Sequence, residues 1–407
     1  HAWLARDPKL APAVIAADPL AVIEYGDADA MTAEQARLLF GALRRYASER
    51  PGFWRWKGFR ARALVSSALY DEVEAALRDR SIPFDLRALI AEQFFDATPA
   101  ARHRATLRER LLDRDEIHAV RAFAAEALTT LTDENWPDLL EELRREGTES
   151  STRIAFGWIR RNGIDDLSDV QVIETLLAYD GLTIAAVPEA EDRRSSGRYL
   201  HFPDRVPGER LNGLLDTLTS YTTELLPEHP DLESYDLIGC AWDLIRRRLE
   251  LGPVEALRLW AWLTPYRNGH SYLPDHEKAI AEWIRTHDDV RLEIQRHVLL
   301  DNAKQRHWLK RSRLAGASPG LELTEEDVVA LLGTLDPSDH ADERWRELLE
   351  FVPHDEERGR VARAVAAPFA AHDPTLAGWL ADLAVPKVPT WKAENDTYEA
   401  KRREERA

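Results

Sequence analysis

Gly316-Ala317-Ser318-Pro319-Gly320 spells Gly-x-Ser-x-Gly, the pattern that carries a nucleophilic serine on a strand-to-helix elbow. That chemistry needs a preceding strand and a backbone N–H donor on the residue after the serine. Pro319 has no N–H, so the match reads as a loop. His270, His276, His287 and Asp288, with Asp301 further on, offer the residue types of a His/Asp metal cluster that would activate water for phosphate ester hydrolysis. Their spacings fit no ligand motif, and His287-Asp288-Asp289 after Thr286 reads more simply as a turn and helix cap. His297 and His307 read as half-buried or surface histidines. Neither Gly-x-x-x-x-Gly-Lys-Ser/Thr nor a Gly-x-Gly-x-x-Gly following a strand occurs, so the sequence holds no phosphate cradle. Cys240, inside Leu237-Ile238-Gly239-Cys240-Ala241-Trp242, reads as a buried thiol rather than a nucleophile.

Two further groups have partner-binding chemistry. Trp54, Arg55, Trp56 and Lys57, after Phe53, join aromatic and basic side chains that could stack on bases or anchor a protein interface. Packing of the two indoles beneath the neighbouring helices is the competing reading. Arg246, Arg247 and Arg248 close a helix, where positive charge suits the macrodipole; a solvated helix end competes with a partner site there.

Whatever holds these groups is acidic and almost entirely helical. The chain has 407 residues, with 54 Lys+Arg against 72 Asp+Glu for a net charge of −18, 44% hydrophobic and 31% charged residues. That composition is globular, and at ~150 residues per domain the length allows two or three domains or one extended array. The acidic excess disfavours non-specific attraction to nucleic acid or anionic lipid. A single cysteine excludes a disulfide framework and points to a reducing, cytoplasmic setting. No apolar run approaches the ~18 residues needed to cross a bilayer. The chain opens on His1 and stops inside the charged run Tyr398–Ala407, which reads as a fragment of a longer protein.

Apolar residues recur at helical spacing. Ala36, Leu39, Phe40 and Leu43 make one stripe, and Leu86, Leu89, Ile90 and Phe94 another. Capping boxes at Thr32–Gln35 and Ser168–Gln171 mark helix starts. Short breaks at Arg80–Pro83, Asp96–Pro99 and Asn162–Asp166 separate the stripes. Asn-Gly pairs at Asn162, Asn212 and Asn268 lack alternating β-formers and read as helix ends or loops.

The helices also repeat. Leu86-Arg87-Ala88-Leu89-Ile90-Ala91-Glu92 aligns with Val120-Arg121-Ala122-Phe123-Ala124-Ala125-Glu126 at an offset of 34, and Thr152-Arg153-Ile154-Ala155 follows 32 residues later. Asp115, six residues before Arg121, completes a pattern similar to the second helix of HEAT-like repeats. Small residues at Ala88, Ala91, Ala122 and Ala125 would let neighbouring helix pairs approach, and the recurrent arginine would reach a carboxylate or loop carbonyl of the adjacent repeat. The expected fold is all-α, a HEAT-like α-solenoid of stacked helical hairpins with irregular loops near 184–207, 264–276 and 311–322. Residues 1–183 form its N-terminal repeats and 208–384 its C-terminal, more aromatic helices, four of them between Thr324 and Leu383. Residues 385–407 make a Pro-containing linker and charged terminal helix. Arg87, Asp115, Arg121 and Arg153 are its repeat-signature residues.

Trp3-Leu4-Ala5-Arg6-Asp7-Pro8 with Ala17-Asp18-Pro19-Leu20, and Leu38-Leu39-Phe40-Gly41-Ala42-Leu43, resemble the helical region that follows the NTPase module in bacterial NACHT-type proteins of the STAND class. Arg121 to Leu128, Trp308 to Leu332 and Pro389-Thr390-Trp391 are similar too. The resemblance covers most of the chain as a style of repeat, without a diagnostic motif. It implies an NTPase module upstream, where ATP or another NTP and magnesium would bind; no catalytic residue, cofactor or metal carries over to this chain. It further implies a non-catalytic sensor that binds a protein trigger, in antiviral defence for instance, and restrains that module. A general HEAT-like scaffold and a metal-dependent hydrolase using His276, His287 and Asp288 are the alternatives. A nucleic-acid-binding solenoid, which would need a basic concave face, is the weakest reading.

Overall fold

A computed structural model of the chain describes residues 2–50, 52, 61–95, 97–185, 202–225, 235–266, 274–301, 307–351, 359–383 and 402. The helical spacing of the apolar residues is realised as helix, and no strand occurs among the described residues. Contacts divide the chain into two units, His1–Pro207 and Gly208–Ala407.

The first unit contains α1 (Ala11–Ala17), α2 (Pro19–Tyr25), α3 (Ala33–Glu49), α4 (Tyr70–Arg78), α5 (Phe84–Glu92), α6 (Ala97–Arg102), α7 (Arg104–Leu112), α8 (His118–Leu128), α9 (Trp136–Glu146), α10 (Glu149–Asn162), α11 (Asp169–Ala185) and α12 (Phe202–Arg205). Local chemistry sets their ends. The Thr32 and Gln35 side chains each bond the other's backbone N–H, at 2.9 and 3.3 Å, to open α3, and Ser168 and Gln171 do the same before α11. Gly147, at φ 66°, closes α9 in the left-handed region that glycine enters without a Cβ clash. Helices α3, α5, α8 and α10 touch in succession, α4 and α7 pack on one another, and each is also held to a sequence neighbour. Ala88, Ala91 and Ala125 are buried at these crossings as their size requires; Ala122 is half-buried, and Ala124 takes the inner position instead.

The second unit contains α13 (Leu211–Leu225), α14 (Tyr235–Glu250), α15 (Ala256–Leu263), α16 (Pro274–Thr286), α17 (Asp288–Leu299), α18 (His307–Ala317), α19 (Glu325–Leu332), α20 (Arg344–Glu350), α21 (Gly359–Ala370) and α22 (Pro374–Asp382). Here α13, α15, α17, α19 and α21 touch in succession, and α14 lies against α16. The four helices expected between Thr324 and Leu383 are α19 to α22.

The structure departs from the sequence reading at several places. Residues 311–322 are not an irregular loop: 311–317 continue α18, and Pro319–Leu321 is one 3₁₀ turn. The inward face of α18 is Lys310, Leu314 and Ala317, so a buried lysine breaks the apolar period that would have betrayed the helix. Asn212 and Gly213 fall in the first turn of α13, the helix-end position that the sequence allowed. Ala97 to Pro99 belong to α6 and not to a break. Within 184–207, α11 runs on to Ala185 and Phe202–Arg205 is a short helix with Phe202 and Val206 buried; 186–201 lie outside the described residues. Within 264–276, Thr264–Tyr266 is a 3₁₀ turn and α16 begins at Pro274. Residues 267–273, Asn268 and His270 among them, and 385–401 are likewise outside the description. No helix among the described residues is long and apolar enough to cross a membrane.

Candidate functional site

Two of the repeat-signature arginines do the same work. Arg121 is 1% exposed. Its Nε donates to the Leu111 carbonyl at 2.9 Å, and its two Nη groups grip Glu146 at 2.8 and 2.7 Å. Arg87 sends Nε to the Ile82 carbonyl at 3.1 Å and Nη1 to Glu116, which also accepts from Arg110 at 3.4 Å. Each guanidinium therefore ties the chain ahead of its own helix, the turn at Ile82 for Arg87 and the last turn of α7 for Arg121, to a carboxylate 29 or 25 residues further on. The planar fork suits a bidentate pair and stays charged when buried, which a lysine would not match. Burial pushes the Glu146 carboxyl up, but the bonds from Arg121 and Thr148 outweigh it and hold it below the usual carboxylate range.

The other two signature residues behave differently. Asp115 is exposed; its N–H donates to Asp113 at 3.2 Å and its carboxylate lies 3.6 Å from Arg80, while Asp113 receives Arg80 at 2.6 Å and Arg110 at 3.0 Å. Arg153 pairs with Glu149 at 2.7 Å on its own helix, and the step from α9 to α11 is bridged by Arg144 and Glu174 instead.

Among the partner-binding candidates, Trp54, Arg55, Trp56 and Lys57 lie outside the described residues. Arg246 and Arg247 sit in the last two turns of α14, and the helix end is not left open. Arg246 is bound by Asp243 at 2.7 Å and by Glu250, Arg247 is also engaged, and Arg248 reaches Asn212 at 2.6 Å and the Gly252 and Pro253 carbonyls at 3.2 Å. These charges are engaged in contacts within their own unit.

The metal candidates are not brought together. His276 stands at the start of α16 and His287 follows its last residue; eleven residues of helix place them roughly 16 Å apart, too far for one ion. His287 stacks on Trp283 with centroids 3.7 Å apart and meets the Trp283 carbonyl at 2.7 Å. His276 lies 3.3 Å from Asp243, and Asp288 pairs with Arg291 at 2.8 Å. Asp301 neighbours His297 at 3.3 Å. No group of three or more His, Cys, Asp or Glu is placed to hold a metal among the described residues. In the Gly-x-Ser-x-Gly match, Ser318 is buried and its Oγ accepts the Gly320 N–H at 3.2 Å. Gly320 is pressed so close to α16 that a Cβ there would fall 2.6 Å from the Ala281 oxygen, which makes the motif a packing device. Cys240 is buried in α14.

The described residues line two open grooves among others. One of about 750 Å³ is floored by Ala13, Val14, Ala17 and Ala21 with Trp3 and Tyr25 at its edge, and one of about 560 Å³ runs between α21 and α22 beside Arg360 and Arg363. Neither is lined by a nucleophile next to a base, so neither meets the geometric requirement for acyl or phosphoryl transfer.

A further charged surface, which no motif marks, lies on α3. The outward face of α3 presents Arg37, Leu38, Gly41, Arg44 and Arg45. Arg37 is held by Glu72 at 3.5 Å and the Ala68 carbonyl at 2.8 Å, whereas the guanidiniums of Arg44 and Arg45 have no hydrogen-bond or ion-pair partner among the described residues. A running charge count would have found the region: residues 37–62 hold eight basic residues and one acidic, in a chain of net charge −18. Comparison with protein-family models, with curated proteins and with solved structures finds no match to this chain.

Proposed function

We propose that this chain is a non-catalytic α-solenoid whose role is to bind another protein. One observation carries the reading. In each unit alternate helices touch in succession, and in the first unit buried arginines tie one hairpin to a carboxylate 25 or 29 residues further on. Hairpins that contact mainly their neighbours make a quasi-one-dimensional array, and such arrays offer long surfaces suited to extended partners. The dispersal of the histidines, the serine and the cysteine supports a binding role over catalysis.

The test has two arms. Small-angle scattering of the whole chain gives its radius of gyration; a compact globule of this length would have about 22 Å, and the solenoid reading requires a clearly larger value. Crosslinking in cells with a tagged chain, followed by reconstitution with each purified partner, is expected to give an equimolar complex. A globule-like radius, together with no protein that reconstitutes, would sink the proposal.

The narrower reading is a sensor that restrains an upstream NACHT-type NTPase; the sequence resemblance alone supports it. Its test is whether the reading frame encodes Gly-x-x-x-x-Gly-Lys-Ser/Thr ahead of residue 1 in the same polypeptide; a frame without that loop removes it.

A further inference from the structure

The strongest unexplained surface is the outward face of α3. This helix is 17 residues long, about 25 Å, and turns Leu39, Phe40 and Leu43 inward. On the opposite side Leu38 is 40% exposed, Gly41 has no atom within 4 Å of where a Cβ would stand, and Arg44 and Arg45 point to solvent without partners. Most arginines of this unit are paired, as Arg78, Arg80, Arg104, Arg108, Arg121 and Arg144 are. Two adjacent unpaired guanidiniums are therefore an exception in a strongly acidic chain.

We infer that the face of α3 made by Leu38, Gly41, Arg44 and Arg45 docks an acidic amphipathic helix of a partner protein. This rests on the reading of the chain as a protein-binding array, and names the chemistry of one partner. Charge complementarity selects the occupant: the net −18 of the chain repels an acidic partner elsewhere, so local positive potential guides it to this helix. Gly41 lets a second backbone approach closely, Leu38 one turn away offers an apolar contact, and Arg44 and Arg45 meet carboxylates along the flank. A single-stranded nucleic acid would call for stacking rings along a cationic track, and among the described residues this face of α3 carries no exposed ring.

The experiment uses the whole chain and fluorescence anisotropy with three labelled probes. These are an acidic peptide of about 20 residues with leucines at helical spacing, a scrambled peptide of the same composition, and a single-stranded DNA oligonucleotide of similar length. The amphipathic peptide is expected to bind saturably, at least about tenfold tighter than the scrambled one, and to weaken with salt. The Arg44→Glu/Arg45→Glu variant should lose at least about tenfold in affinity. Gly41→Gln separates docking from folding: replacing an exposed helical glycine raises the melting temperature, while the new side chain occupies the notch and lowers affinity by about tenfold. No saturable binding, unchanged affinity in both variants, or tighter binding of the oligonucleotide would each overturn the inference. If partners found by crosslinking still bind Arg44→Glu/Arg45→Glu at full strength, this face is wrong and the array reading stands. If the scattering radius is globule-like and the chain reconstitutes with no protein while the peptide binds through α3, the face stands and the array reading falls.

Discussion

Arg121 and Arg153 are aligned in the sequence repeat but occupy opposite environments. Removing the Arg121 side chain leaves Glu146 buried and uncompensated, so Arg121→Ala is expected to cost about 3–5 kcal/mol in urea unfolding. Arg153 is nearly half exposed and pairs with Glu149 one turn away; Arg153→Ala should change stability by no more than about 0.5 kcal/mol. Equal costs would contradict the assignment of the inter-hairpin tie to Arg121. Two titrations follow from burial at the same scale. His103 is buried against the edges of Tyr70 and Phe94, and neither ring nitrogen has a hydrogen-bond partner. Burial lowers its pKa, against the opposing pull of Glu74 at 3.8 Å. A histidine lowered in the folded state favours the neutral ring. Its contribution to stability is complete above the unfolded value of about 6.5 and is lost as pH falls below that towards the lowered folded value. Unfolding at pH 7 and pH 5 should therefore show a loss on acidification that His103→Leu reduces; an unchanged slope would remove His103 as its source. Glu146, lowered in the folded state, contributes above the unfolded carboxylate value of about 4.3 and loses that contribution at more acid pH, so its loss begins at a lower pH than that of His103.

At the scale of elements, capping and periodicity were readable, and departures have identifiable causes. The Thr32–Gln35 box opens α3 as its letters require, because its hydrogen bonds close within three residues. Helix α18 was hidden because Lys310 faces inward, where it reaches the Leu299 carbonyl at 2.8 Å and Glu347 at 3.0 Å; sequence spacing treats lysine as a surface residue. Glycines divide in the same way. Gly157, inside α10, has open space where a Cβ would lie, and Gly157→Ala should raise stability by about 0.5–1 kcal/mol. Gly320→Ala would place a Cβ against α16 backbone and should cost about 1–3 kcal/mol. Denaturant midpoints that shift in the same direction for both variants would contradict this packing account.

For the whole molecule, the division at Pro207 implies local responses. In an array stabilised by neighbour contacts, a damaged tie loosens adjacent helices first. Amide hydrogen exchange in Arg121→Ala is expected to accelerate in α8, α9 and α10 and to leave α17 to α20 unchanged. Acceleration spread evenly over both units would mean that they open as one cooperative body.

The sequence alone determined the all-α class, the acidic character and the recurrence of Arg87 and Arg121, since helical periodicity and composition need no knowledge of distant residues. It could suggest that these arginines meet carboxylates, but Glu116 and Glu146 lie 29 and 25 residues away and only packing selects them. Packing also decided that Arg153 and Arg246 are held within their own helices, that α16 keeps His276 and His287 apart, and that Arg44 and Arg45 remain unpaired. A helical hydrogen bond closes within four residues, whereas burial and ion pairing join groups that the chain itself keeps tens of residues apart.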